Sequence, residues 1–183
     1  MSELRTNKIV PRDGLPLSAS GGGIIQVVSV TKTDAESLTG SSTPQLIPGM
    51  QATITPQSAS NKILVMVVLY ASVGGSFAAH YAVLKRGTTD IAIGDAAGSR
   101  NRATLSLQDQ FYSSTNSNTY GPHQGQVIHL DSPATTSAVT YGLYHAEADN
   151  NGNALFINRA AGDSDSSNMN RTVSSITLME ISA

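Results

Sequence analysis

Between residues 63 and 70 the chain reads Ile-Leu-Val-Met-Val-Val-Leu-Tyr, its most apolar run. Branched and aromatic side chains pack well on a pleated surface, and a run this short suits a strand better than a buried helix. The run shows no polar alternation, so both faces of the strand are expected to be covered. The cover is either a facing sheet with loops or a neighbouring subunit. Pro56 has no N–H to give to a central ladder, so Met50–Thr55 is expected as a separate strand and Pro56–Asn61 as the turn before the run. With Ile63–Tyr70 as the spine, Val65, Val67 and Leu69 are candidate residues of a subunit interface.

The segments around this spine also read as strands. Ile24–Thr33 alternates, with Ile24, Gln26, Val28 and Val30 on one face. Asp34–Gly49 reads as loop with at most one short strand, and Gln51–Thr55 is expected to pair with the spine or a neighbour. Ala79–Arg86 and Asp90–Gly94 flank Gly87-Thr88 as a hairpin. Ala103–Tyr112, Gln126–Leu130, Ala138–Ala146, Ala154–Arg159 and Val173–Ile181 complete nine or ten strands, with no convincing helix. Turn signals about every ten residues point to a sandwich or barrel. The closing apolar strand after a long polar loop suits a jelly roll.

Residues 1–23 are unlike the rest. Arg5, Lys8 and Arg12 cluster there, Pro11, Gly14 and Pro16 break regular structure, and Gly21-Gly22-Gly23 forms a joint. Leu4, Ile9 and Val10 are apolar anchors among these basic residues. The segment is either a frayed terminus or an extended docking arm, which leaves residues 24–183 as the β-domain. The start has no apolar stretch of the secretory kind, and no run approaches the length of a membrane span.

Composition narrows function. Charged residues make up 13% of the 183, about half the usual share, and the formal net charge is −2. That leaves no basic footprint for nucleic acid. With no cysteine, disulfides and thiolate metal sites are excluded. His80, His129 and His145 fall on expected strands and could converge, but no pair has helical metal spacing. Asp149-Asn-Asn-Gly and Asp163-Ser-Asp-Ser-Ser-Asn offer oxygen ligands without calcium-loop spacing, so turn chemistry explains them. Asp90, Asp95, Asp109 and Glu147 could meet as glycosidase carboxylates, yet no tryptophan is present to form a sugar platform. No nucleophile elbow occurs. The expectation is a non-enzymatic protein without catalytic residues, cofactor or metal. Lys85-Arg86, Arg100 and Arg102 are either solvated or paired across a subunit boundary. The loop Ser113–Gly121 is either plain solvated chain or a binding loop, in which Ser114, Asn116, Asn118 and Tyr120 combine adaptable polar groups with a rigid aromatic.

Four stretches carry a family resemblance. They are Leu4-Arg-Thr-Asn-Lys-Ile-Val-Pro-Arg-Asp-Gly with Gly22-Gly-Ile-Ile-Gln-Val-Val; Ile54-Thr-Pro-Gln-Ser-Ala-Ser-Asn-Lys-Ile-Leu-Val; Leu84-Lys-Arg-Gly-Thr-Thr-Asp-Ile with Gly94-Asp-Ala-Ala-Gly-Ser-Arg and Leu130-Asp-Ser-Pro-Ala-Thr-Thr-Ser-Ala-Val-Thr-Tyr; and Ser175-Ile-Thr-Leu-Met-Glu-Ile. Together they resemble small virion and tail-fibre-like proteins of tailed bacteriophages, especially those of marine and cyanobacterial hosts. The resemblance implies an all-β, jelly-roll-like sandwich of the tumour-necrosis-factor type, forming a homotrimer. It also implies a virion location after assembly in the bacterial cytoplasm. On this reading the arm Leu4, Arg5, Lys8, Ile9, Val10 and Arg12 docks on another virion protein, and the distal loop faces a host glycan or protein. A tail-fibre-like appendage and a capsid decoration (cement or head-fibre) protein both remain open. Neither nucleic acid nor membrane is an expected partner.

Overall fold

A computed structural model describes residues 23–74, 78–107 and 121–183. Every regular element among them is a β-strand. The strands are β1 (Ile24–Lys32), β2 (Glu36–Thr39), β3 (Gln45–Ile54), β4 (Lys62–Val73), β5 (His80–Arg86), β6 (Thr89–Ile91), β7 (Leu105–Ser106), β8 (His123–Asp131), β9 (Val139–Glu147), β10 (Ala154–Ile157) and β11 (Ser174–Ile181). The expected docking arm, apart from Gly23, and the loop residues Ser114, Asn116, Asn118 and Tyr120 lie outside the described residues. So do residues 108–112 of the strand expected over 103–112.

The strands form two antiparallel sheets. Sheet A runs β1-β11-β4-β10-β2, with β8 on the other side of β4; sheet B runs β3-β9-β5-β6, with β7 also on β5. β4 is the centre of sheet A because of its length. Residues 63–71 pair with β8, residues 62–68 with β11, and residues 71–73 with β10. The expected spine therefore extends three residues further than its apolar core.

One expectation is corrected at β3, which begins at Gln45, inside the segment read as loop; of the two pairings expected for Gln51–Thr55, the spine or a neighbour, the chain takes the second, with β9 in the opposite sheet. Pro48 hid this strand from a sequence reading. The ladder breaks between Leu46 and Gln51, where Gly49 takes a φ of 76°, so the proline sits in an irregular stretch that needs no donor. The Pro56–Asn61 turn is held by Glu180 of β11. Its Oε1 accepts hydrogen bonds from the Gln57 N–H and from Asn61 Nδ2, each at 2.6 Å.

The core lies between the sheets. Ile63, Val65, Val67 and Leu69 of β4 meet Ile47, Met50 and Ile54 of β3, Leu84 of β5, Tyr141 and Leu143 of β9, and Ile176 and Leu178 of β11. Each of these is essentially inaccessible to water. Several buried polar groups at the margins are paired. Asp131 accepts from Arg86 Nη1 at 2.8 and 2.9 Å and from the Tyr141 hydroxyl at 2.7 Å. Burial and the neighbouring Asp131 carboxylate push the Tyr141 hydroxyl pKa up, so it stays a donor. Asn158, in the left-handed region at φ 58°, donates to the Lys32 and Asp34 carbonyls and accepts from Ser174 Oγ.

Candidate interaction surface

Directly opposed residues in an antiparallel ladder point to the same face. The registers of β1, β11, β4 and β8 therefore define rows across sheet A. The row Val28, Leu178, Val65, His129 and the row Val30, Ile176, Val67, Val127 face sheet B. The alternate rows face away from it: Val27, Met179, Leu64, Leu130; then Ser29, Thr177, Met66, Ile128; then Thr31, Ser175, Val68, Gln126.

These outward rows are apolar where a sheet facing water would be polar. Val27 is 55% exposed, Ile128 56% and Leu130 49%. Leu64, Met66, Val68 and Met179 lie half-buried between them. Ile24 and Ile25, exposed beside an irregularity in the β1–β11 ladder, extend the patch along β1. Hydroxyls supply the polar positions, and Ser29 Oγ and Thr177 Oγ1 satisfy each other at 2.8 Å. None of the three rows contains an ionisable side chain. At the far end, the Tyr70 hydroxyl donates to Gln124 Oε1 at 3.1 Å.

The size is informative. Strands spaced about 4.8 Å apart and alternate residues about 6.8 Å apart give the three rows roughly 400 Å², of which the seven apolar positions take about 230 Å². The three rows together are about half of the roughly 800 Å² that each partner contributes to a standard interface.

This geometry corrects the interface residues read from sequence. Val65, Val67 and Leu69 are 0% exposed within a single chain, because their faces pack on sheet B. They have no surface to offer a neighbour. The outward face of the same strand, Leu64, Met66 and Val68, keeps accessible surface instead. Sequence reasoning missed Val27, Ile128, Leu130 and Met179. Their signal was present as apolar residues on both faces of β1 and at the second-face positions of β8.

The other residues singled out are distributed as follows. Lys85 pairs with Asp90, and Arg86 with Asp131. Arg100 and Arg102 donate to the carbonyls of Ala97 and Gly94 in their own loop. Asp163 lies between Arg159 at 3.4 Å and Arg171 at 2.5 Å. These three help line a groove of about 540 Å³ with Thr33, Ala35, Glu36 and Ser37. Asn150 and Gly152 take positive φ in the tight turn after β9. His80 and His145 come together in sheet B, whereas His129 lies across from Val65 in sheet A. Asp109 lies outside the described residues. Among the described residues no three histidines or acids are placed to hold a metal ion, and no helix is long and apolar enough to cross a membrane. No protein-family model matches the chain, and no curated protein matches it.

Proposed function

We propose that the protein is a non-enzymatic structural component of a tailed-bacteriophage virion, a homotrimer attached through residues 1–23. The observation that carries this reading is the outward face of β1, β11, β4 and β8. A face whose three central rows carry no charge calls for an uncharged partner surface, and a second copy of the same face meets that demand. Its most exposed residues lie at the two edges, Val27 on β1 and Ile128 with Leu130 on β8. That arrangement suits a ring, in which the β1 half of one subunit meets the β8 half of the next.

We read the sandwich as a jelly roll of the tumour-necrosis-factor kind. In support, the chain crosses between the sheets at β2–β3, β3–β4, β4–β5, β7–β8, β8–β9 and β9–β10. The terminal strand β11 also returns between β1 and β4. The resemblance to phage fibre-like proteins supports the virion assignment, and the arm is the attachment end by its mixture of basic and apolar residues. Two of the acids weighed for hydrolysis are engaged elsewhere. Asp90 is paired to Lys85, and Glu147 is engaged by the backbone of its own turn.

Immunolabelling of particles tests the location. Label on the tail, with saturable cell binding by purified protein, is the expected result. Label on the head, with particles lacking the protein less heat-resistant yet adsorbing normally, would replace the appendage with a decoration protein. No label on particles would overturn the virion assignment. Removal of residues 1–20 is expected to leave a folded trimer that no longer joins the particle, and normal incorporation would refute the docking role.

A further inference from the structure

His80 begins β5 and pairs across the ladder with Glu147, the last residue of β9; two residues on, Ala82 pairs with His145. All four side chains therefore lie on one face of sheet B, the face that looks into the sandwich. His80 and Glu147 are 0% exposed and His145 is 1% exposed. The two imidazole centroids are 6.4 Å apart, with their planes tilted by 33°. None of the four ring nitrogens has a hydrogen-bond partner among the described residues.

Glu147 is the opposite case. Its Oε2 accepts from the Gly152 N–H at 2.8 Å, and its Oε1 accepts from the Asn153 N–H at 3.1 Å and from Asn153 Nδ2 at 2.6 Å. Gly40 passes so close that a Cβ there would stand 2.1 Å from Oε2. The Gly40 N–H donates to the Asn153 carbonyl at 2.9 Å, and the Glu147 N–H donates to the Ser41 carbonyl at 2.7 Å. One carboxylate thus ties together the loop after β2, the turn after β9 and the end of the β5–β9 ladder. The imidazole pair sits under that tie with its polar atoms unused.

We propose that His80 and His145 form an acid-sensitive clasp: as neutral rings they pack the end of sheet B shut, and protonation releases the contacts joining β5, β9 and the loops at Gly40–Ser41 and Gly152–Asn153. The surroundings leave an added charge few places to go. β3, β7, β10 and residues 40–44 carry no ionisable side chain. Glu36 of β2 is at that strand's far end, bound to Lys32. Lys85 and Arg86 are at the far end of β5. Burial lowers the His80 pKa, while the charges of Glu147 and Asp149 favour its proton. Burial, and then His80, push His145 down to about 4. The first proton therefore goes to His80, against Glu147, and the second must enter beside a charge.

The sign follows. A histidine whose folded pKa lies below its unfolded value near 6.5 contributes stability that is complete above about pH 6.5 and is lost as pH falls toward the folded value. His145 alone, with a folded pKa of about 4, lowers the folding constant by roughly thirtyfold between neutral pH and pH 5.

The test uses the full-length protein in two arms. Urea unfolding at pH 7.5 and pH 5 should give the thirtyfold loss in wild type and a much smaller one in His145→Phe. Hydrogen exchange, corrected for intrinsic rates, should show acid-induced loss of protection at the Gly40, Glu147 and Ala148 amides before that of β4. If His145→Phe does not fold, an NMR titration of the wild-type imidazoles decides. A His145 midpoint near 4 supports the clasp, and a midpoint near 6.5 overturns it. An unchanged pH dependence in the variant, or protection lost uniformly from both sheets, would also overturn it. The inference is independent of the virion assignment and survives its failure.

Discussion

The two faces of β4 differ in fate far more than in composition. Inward, Ile63, Val65, Val67 and Leu69 reach zero exposure against sheet B; outward, Leu64, Met66 and Val68 remain half-covered by their own sheet. An ordinary surface strand would carry polar residues on the second face. Here the second face carries apolar residues across four strands in register. The inner face is covered by the chain itself, and the outer face keeps accessible surface, which the proposed self-association would cover.

Changes of equal chemistry on the two faces should separate these roles. The largest effect is expected from Val67→Asp, which puts an unpaired charge in the core at a cost above roughly 4 kcal/mol. Soluble, cooperatively melting protein from that variant would mean that the inner face is not core. Next is Val65→Ala, which removes buried methyl groups and should lower unfolding free energy by about 2 kcal/mol in urea. Tyr141→Phe takes one of the donors from buried Asp131 and should cost about 1–2 kcal/mol in urea unfolding. Smallest is Ile128→Ser on the outer face. It should leave the unfolding free energy of the separated chain within about 0.5 kcal/mol while weakening self-association measured by dilution. If Val65→Ala and Ile128→Ser shift stability and association alike, the two faces do not divide the work as described.

Much of this division was legible in the sequence, and the part that was not has a physical cause. The unbroken apolar run announced that β4 needs cover on both sides. Periodicity alone could not say which side meets the other sheet, because both sides are apolar. That choice depends on register with β11 and β8, which is a property of distant segments. β3 was half hidden because Pro48-Gly49 reads as a turn, yet the chain uses it as an irregularity inside one strand. The His80–His145 contact was visible only as two histidines on separate strands. Their meeting follows from a β5–β9 pairing across some sixty residues of chain. The Glu147–Gly40 tie had no local signal, since a glycine after a short polar strand ordinarily reads as a turn.

The central claim is that the outer face of sheet A joins copies of this chain. Sedimentation equilibrium on full-length protein, with Met66→Lys and Ile128→Lys beside the wild type, tests it most directly. The expected result is a trimeric wild type and folded monomers for both variants, each retaining the wild-type far-ultraviolet spectrum. A monomeric wild type, or variants that remain trimeric with lysines on that face, would contradict it.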